Sequence, residues 1–151
     1  MSRSFSSVHI HLVFSTKDRR PFLREPGLRS EMHRYLGGVS KTLDCQPLIV
    51  GGVSDHVHML AGLGKTRSQA DWVRELKKIS STWVKEREPK LADFAWQGGY
   101  GAFSVDKSTI EQVRRSIACQ EEHHRARTFQ DEFRDLLRDH DIEWDEEYIW
   151  R

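Results

Sequence analysis

The chain has 151 residues, of which 37% are hydrophobic and 31% are charged. These values predict one globular domain over residues 1–151 and exclude a largely disordered chain. Its 24 basic and 23 acidic residues nearly cancel, which by itself argues against a nucleic-acid-binding protein. The charge is uneven, however, because residues 1–130 carry 21 bases and 14 acids, whereas residues 131–151 carry 3 bases and 9 acids. A basic body with an acidic tail at 131–151 is still compatible with a polyanionic partner.

The sequence contains no targeting or membrane signal. Its N-terminal residues lack the pattern of a signal peptide, and its longest apolar runs, 47–50 and 59–61, are far too short to cross a bilayer. We therefore expect a cytoplasmic protein with no membrane partner. Cys45 and Cys119 are distant in sequence and form no CxxC pair, which argues against a disulfide framework and against a cysteine-based zinc site.

The first 63 residues predict a strand, a helix and a hairpin. Residues 7–15 alternate in type and are rich in β-branched and aromatic side chains, which indicates a half-buried strand. Apolar residues at helical spacing predict a helix over about 28–43 that two adjacent glycines weaken in its middle. Two short apolar segments, 47–53 and 56–63, are separated by small turn residues and predict two adjacent strands.

A long helix and a short strand are predicted next. Ser68 followed by Asp71 indicates an N-cap, and the apolar residues from Trp72 to Trp83 form one stripe of an amphipathic helix. After a glycine-rich break, a short strand is predicted at about 102–105.

Two further helices are predicted after that strand. Ser108 and Glu111 have the spacing of a capping box, which predicts one helix that reaches His124. A last helix is predicted at about 129–140. The element order up to residue 105 is that of a ferredoxin-like split βαβ fold in the α/β (α+β) class, with a central antiparallel sheet, helices on one face and extra C-terminal helices.

The run Asp55-His56-Val57-His58 is the sharpest local signal for chemistry. In a strand His56 and His58 lie on one face while Val57 points to the other. Neutral imidazoles bind divalent cations, and a two-histidine site needs at least one further ligand from elsewhere in the fold. His9 and His11 form a second pair with the same spacing. The spacing alone leaves a metal site and a pair of surface histidines both open.

Five blocks distributed over nearly the whole chain resemble one known family. They are HLVFSTKDRRPFL, GGVSDHVHMLAGL, LKKISSTWVK, WQGGYGAFSV and VRRSIACQEEHHRARTFQDEF, in this order. Together they resemble the small single-tyrosine HUH transposases of bacterial insertion sequences and their REP-associated relatives. The resemblance implies a ferredoxin-like homodimer that binds hairpins in single-stranded DNA and holds Mg²⁺ or Mn²⁺ on the two histidines, here His56 and His58.

The same resemblance implies a catalytic tyrosine that becomes joined to a 5′ phosphate. It is expected four residues before a glutamine that helps to hold the metal. The glutamine falls on Gln120 and the tyrosine position on Ser116, so the tyrosine is missing. A serine hydroxyl is a much weaker acid than a phenol and ends several ångströms short of it, whereas reacting atoms must approach to about 3–3.5 Å. We therefore do not expect Ser116 to replace the nucleophile directly.

The remaining tyrosines offer no obvious substitute. Tyr100 is interpreted as a packing residue of the GGYG turn, and Tyr148 lies in the acidic tail, which repels a phosphate. Three hypotheses stay open: a transposase with an altered nucleophile position, a relative that binds a DNA hairpin without strand transfer, and a serine introduced to trap DNA.

Three groups of basic residues are predicted to offer a path for DNA. The first follows the first strand and the second lies on the second predicted helix: Lys17, Arg19 and Arg20, and Arg74, Lys77 and Lys78. The third lies near the proposed site and comprises Arg114, Arg115, Arg125 and Arg127. Phosphate contacts dominate the affinity of proteins for nucleic acids. Phe22 and Trp96 are candidates for stacking on unpaired bases.

His123 and His124 are adjacent on the third predicted helix. Neighbouring side chains on a helix point roughly 100° apart, so both rings are not expected to bind one ion. His124 is predicted instead to pack beside Ile117 and Gln120.

Overall fold

The computed structural model of the protein describes residues 4–151, apart from the side chain of residue 126. Within that range one antiparallel sheet has the strand order β2-β3-β1-β4. Its strands are β1 (His9–Ser15), β2 (Pro47–Gly52), β3 (His56–Gly62) and β4 (Gly101–Val105). The helices are α1 (Pro26–Thr42), α2 (Gln69–Arg87), α3 (Ile110–Ala118), α4 (Gln120–Ala126) and α5 (Phe129–Asp139). This order and pairing confirm the predicted ferredoxin-like split βαβ arrangement.

The two faces of the sheet bury different cores. On one face, alternate residues such as Leu12, Phe14 and Val57 pack under α1 and α2 in the larger core. On the other face, Val13 and Phe103 pack against apolar residues of α5 and the C-terminal tail. The first pair of helices therefore covers one face as predicted, and the extra C-terminal helices cover the second.

Helix α2 forms for the reasons that its sequence suggests. The Ser68 hydroxyl caps it by accepting a hydrogen bond from the Asp71 N–H at 3.1 Å. Trp72 and Leu76 are fully buried, and burial of an apolar side chain of this kind contributes about 1.5–3 kcal/mol. The Trp72 indole N–H donates to the Ser40 hydroxyl at 3.0 Å, so its polar atom is satisfied and α2 is tied to α1.

Helix α1 differs from the prediction in having no weak middle. It runs from Pro26 to Thr42 without a break at Gly37 and Gly38. Each glycine costs roughly 1 kcal/mol relative to alanine in a helix interior. Burial of apolar residues on the face that meets the sheet offsets that cost, because tertiary packing provides most of the stability of a helix in a protein.

The single helix predicted to reach His124 is in fact two helices. Helix α3 ends at Ala118, and α4 begins at Gln120 after a non-helical Cys119. The predicted capping box is also absent, because Ser108 lies inside a 3₁₀ turn and α3 begins after Thr109 without a side-chain cap.

The acidic C-terminal tail folds back onto α5. Trp144, Ile149 and Trp150 pack against the second core. Arg134 of α5 pairs with Glu146 at 2.5 Å, and the Trp150 indole N–H donates to the same carboxylate at 3.1 Å. Among residues 4–151, no helix has the length and apolar character needed to span a membrane.

Candidate metal centre

Strand β3 carries the HxH pair onto the second face of the sheet. His56 and His58 are 0% and 1% exposed, and Val57 between them lies in the larger core. His58 pairs with Val13 across the sheet, and His56 pairs with Ser15 at the end of β1. The two imidazoles are therefore buried neighbours and not surface histidines.

Hydrogen bonds at the outer ring nitrogens orient both imidazoles. The Nδ1 atom of His56 lies 2.8 Å from Oδ1 of Asp55. Because a carboxylate accepts, this nitrogen carries the hydrogen, and Nε2 is directed into the site. The Nδ1 atom of His58 lies 2.8 Å from Nε2 of His11. Burial lowers the pKa of His11 to about 3, so His11 is neutral. In the tautomer in which His11 accepts from His58, Nε2 of His58 carries no hydrogen and is available to a cation.

A carboxylate from α5 meets the two histidines. Oε1 of Glu132 lies 2.8 Å from Nε2 of His58 and 3.9 Å from Nε2 of His56. The three candidate ligand atoms all lie within 4.8 Å of one another. Burial alone would raise the pKa of Glu132, but the neighbouring His124 and His58 rings outweigh it and hold the pKa far below its usual range. The side chain of Glu132 is therefore an ionised carboxylate although it is buried.

Two atoms at the centre lack a hydrogen bond. Although Nε2 of His58 and Oε1 of Glu132 are close, neither has a partner in hydrogen-bond geometry. A bare imidazole nitrogen and a carboxylate oxygen are both electron-pair donors. This donor set matches what a divalent cation needs.

The break between α3 and α4 places Gln120 beside His56. Gln120 is 2% exposed, and its Oε1 atom lies 3.2 Å from Nε2 of His56. Its amide nitrogen donates to the Ser116 carbonyl at 3.3 Å and to Glu132 at 3.4 Å. The side chain of Gln120 thus contacts His56 of the predicted pair, and half-buried Ser116 lies one turn before it.

The close approach of α3 to β2 depends on a glycine. A Cβ atom at Gly51 would lie 2.6 Å from the carbonyl oxygen of Ile117, well inside van der Waals contact. Gly51 pairs with His58 across the sheet. The missing side chain therefore lets the helix that leads to Gln120 lie directly against the strands that hold the histidines.

Sequence reasoning missed two residues of this centre, Glu132 and His124. The available signal for Glu132 is its position on α5, where it shares the buried face with Phe129, Phe133 and Leu137. A charged residue within an apolar stripe indicates a partner in the interior, because the burial of an unpaired charge is unfavourable. His124 does contact Gln120 as predicted, at 3.1 Å, but its Nε2 atom also lies 3.5 Å from Oε1 of Glu132.

The tyrosines lie away from the histidine cluster. Tyr35 stacks on Trp83 with ring centres 4.5 Å apart, and Tyr148 is 55% exposed. Tyr100 packs against the larger core, on the opposite face of the sheet, with its hydroxyl 3.4 Å from the amide nitrogen of Gln69. Within residues 4–151, no tyrosine contacts His56, His58 or Glu132.

The first basic group lies beside the cluster. The turn that contains Lys17, Arg19 and Arg20 directly follows β1, and the adjoining Thr16 N–H donates to the Asp55 carbonyl at 2.8 Å. The exposed Arg20 pairs with Asp93 at 2.7 Å. This turn is therefore at the same end of the sheet as His56.

The second basic group is on α2, across the sheet from the cluster. The Lys77 ammonium donates to the carbonyls of Gln97 at 2.9 Å and Gly99 at 2.7 Å, and burial lowers its pKa to about 8. Arg74 and Lys78 are exposed and pair with acidic residues of the same helix. The structure does not bring these three residues together with the histidines.

The predicted stacking aromatics are also elsewhere. Phe22 and Trp96 are each 9% exposed in the larger core. The prediction that they stack on bases is therefore wrong, because their rings already pack against Phe94.

Comparisons with known proteins agree on the fold. The family model described as "Transposase IS200 like" matches residues 4–120. A protein assigned as a transposase from Deinococcus radiodurans R1 is 20% identical, with 80% of this chain and 95% of that chain covered and a TM-score of 0.64. A REP-associated tyrosine transposase bound to a REP hairpin is 14% identical, with 82% and 71% covered and a TM-score of 0.54. A comparison with curated proteins finds no match.

The matched range has a consequence for the metal centre. It ends at Gln120, whereas His124 and Glu132 lie on α4 and α5, beyond it. Part of the centre therefore comes from a segment outside the family match.

Proposed function

Because the family match extends over residues 4–120 of 151, the chain belongs to the IS200-like transposase family, and on that premise we propose that it binds a hairpin in single-stranded DNA at a cation site. The site consists of His56, His58 and Glu132. The observation that carries this proposal is the meeting of their buried ligand atoms, of which those of His58 and Glu132 lack a hydrogen bond, beside a basic turn. The solved relative bound to a REP hairpin supports the choice of DNA.

The residues at the centre fit a divalent cation. A buried polar atom without a partner costs about 1–3 kcal/mol, and a cation would satisfy both Nε2 of His58 and Oε1 of Glu132. Mg²⁺ and Mn²⁺ are the ions that the family resemblance implies. Such a cation, when bound, would neutralise charge on a phosphate and polarise its phosphorus–oxygen bonds.

The protein around the centre offers a path for a phosphate backbone. A cleft of about 550 Å³ beside the cluster is lined by Asp55, His124, Arg127 and Gln130 among others. With the Gln130 amide turned so that its oxygen faces Arg19, that oxygen accepts hydrogen bonds from the guanidinium at 3.0 and 2.9 Å, which joins the basic turn to the rim of the cleft. We assign phosphate contacts to Lys17, Arg19 and Arg20 first, because the basic residues of α2 lie across the sheet.

Strand cutting through a tyrosine is not part of this proposal. The Ser116 hydroxyl lies directly beyond Cβ, far short of the reach of a phenol, and the three tyrosines pack elsewhere. The protein as it stands therefore binds the hairpin and forms no covalent adduct. Ser116→Tyr would supply a phenol oxygen to attack phosphorus while the bond to the 3′ oxygen breaks and that oxygen leaves as a hydroxyl.

DNA binding is tested with a pool of hairpin oligonucleotides that have randomised loops and single-stranded flanks, against duplexes of the same composition. We expect selective retention of hairpins. Their affinity should fall as salt rises, with a slope of about −0.7 per phosphate contact on single strands. Replacing Lys17, Arg19 and Arg20 by alanine should reduce that slope by about 2. Lys41→Ala is the matched control, because Lys41 is exposed in the last turn of α1.

The two parts of the proposal have separate refutations. Equal retention of hairpins and duplexes would overturn DNA-hairpin binding. A denaturation-resistant adduct formed by the Ser116 protein would overturn the non-covalent assignment. An adduct formed only by Ser116→Tyr would support both parts, and no adduct from either protein despite tight binding would favour a DNA-binding module over an enzyme.

A further inference from the structure

His124, which the sequence predicts to be a packing residue, has the orientation of a metal ligand. Nδ1 of His124 lies 3.0 Å from the Arg127 carbonyl oxygen. A carbonyl only accepts, so Nδ1 carries the hydrogen and Nε2 is left for the centre. This is the pattern in which a metal-bound histidine donates its other N–H to a fixed acceptor. His56 has the same pattern with Asp55.

The Nε2 atom of His124 faces only electron-pair donors. It lies 3.1 Å from Oε1 of Gln120 and 3.5 Å from Oε1 of Glu132. Nε2 of His56 faces the same two oxygens, at 3.2 and 3.9 Å. In both rings the hydrogen is on Nδ1, so each Nε2 presents a lone pair to these oxygens. Lone pairs that face one another repel, so the centre requires positive charge, either as added protons or as a cation.

Glu132 lies between all three imidazoles. Its Oε1 atom is 2.8, 3.5 and 3.9 Å from Nε2 of His58, His124 and His56. Two ligands of one tetrahedral ion with bonds of about 2.0–2.2 Å lie about 3.3–3.6 Å apart. Oε1 of Glu132 is therefore close enough to each of the three nitrogens to share an ion with it. The atoms that all lie within 4.8 Å of one another belong to His56, His58 and Glu132, so the His124 ring would have to move toward an ion bound there.

We propose that His124 is a fourth protein ligand. The resulting set of three imidazoles and one carboxylate then selects a transition-metal ion that prefers nitrogen ligands, such as Zn²⁺, over Mg²⁺. This inference rests on the cation site of the proposed function and narrows its ligand. Imidazole suits zinc and its neighbours in the first transition row, whereas Mg²⁺ prefers oxygen ligands and retains several waters. The segment that supplies His124 and Glu132 is outside the family match.

The test is calorimetric titration of the metal-free protein with Zn²⁺, Mn²⁺ and Mg²⁺. We expect affinity in the order Zn²⁺, Mn²⁺, Mg²⁺. His124→Ala should weaken Zn²⁺ binding by at least about tenfold, a larger loss than it causes for Mg²⁺. His123→Ala is the matched control on the same helix. His124→Gln, which keeps the size of the side chain, should behave as His124→Ala if the nitrogen is the ligand.

A second readout reports the ligands directly. Co²⁺ in a tetrahedral site of nitrogen and oxygen ligands absorbs strongly in the visible, and this band should appear in the wild type and collapse in His124→Ala.

The outcomes separate this inference from the site itself. Unchanged Zn²⁺ affinity in His124→Ala, with binding lost in His58→Ala, would overturn the role of His124 and leave the cation site. Unchanged affinity in both variants would overturn the cation site as well. Mg²⁺ binding as tight as Zn²⁺ binding would overturn the proposed selectivity.

Discussion

The contact between α3 and β2 predicts a marked effect of one added methyl group at Gly51. In Gly51→Ala the new Cβ would lie 2.6 Å from the Ile117 carbonyl oxygen and 2.9 Å from its Cγ2 atom. Ordinary contacts begin near 3.4 Å, so α3 must move away from the sheet by roughly 0.8 Å. Overpacking of this kind costs about 1–3 kcal/mol. The shift would also draw Gln120 away from His56, so we expect weaker cation binding, by about tenfold.

Urea denaturation and metal titration of Gly51→Ala check both effects. The matched control is Gly38→Ala, because a Cβ at Gly38 would meet nothing within 4 Å. In the interior of α1 that change should stabilise the protein by about 0.5–1 kcal/mol and leave metal affinity unchanged. A Gly51→Ala protein as stable as the wild type, with the same cation affinity, would refute the role assigned to this contact.

Three further predictions concern other parts of the molecule. Lys77→Met removes a charged donor from two carbonyls and should lower the free energy of unfolding by about 1–3 kcal/mol. Burial lowers the pKa of Lys77 to about 8, so between about pH 8 and pH 10.4 the unfolded chain binds more protons than the folded protein. As the pH rises through this range, urea titrations should show the wild type gaining stability relative to the variant. A difference in stability that does not change with pH would contradict this. Thr128→Ala removes the cap of α5 and should lower the stability measured by thermal unfolding by about 0.5–2 kcal/mol; it should also weaken cation binding, because α5 carries Glu132. Ser68→Ala removes the cap of α2 and should lower stability alone. Equal metal affinities of the two variants would show that the cap of α5 does not affect the cation site. Finally, the resemblance implies a homodimer, which would protect the edge strand β4; sedimentation should show dimers at micromolar concentrations, and a monomer throughout that range would refute it.

Much of the fold was predictable because local signals agreed with the tertiary structure. The alternation of residues 7–15 predicts β1 to within two residues of its observed bounds, and the cap at Ser68 predicts the start of α2. The break at Cys119 was not predictable, because neither a glycine nor a proline marks it. In the structure the Gln120 amide donates to the Ser116 carbonyl at this point.

The candidate site was predictable only in part. The spacing of His56 and His58 places both rings on one face in any strand, and the structure confirms that geometry. Glu132 was not predictable in the same way, because it is one of nine acidic residues between 131 and 151 and only its position on the buried face of α5 distinguishes it.

Anomalous diffraction from crystals of the protein grown with Mn²⁺ tests the cation site directly. We predict one strong peak within bonding distance of Nε2 of His56, Nε2 of His58 and Oε1 of Glu132. A peak elsewhere, or none at saturating Mn²⁺ while the three side chains keep their present contacts, would contradict the cation site on which the proposed function depends.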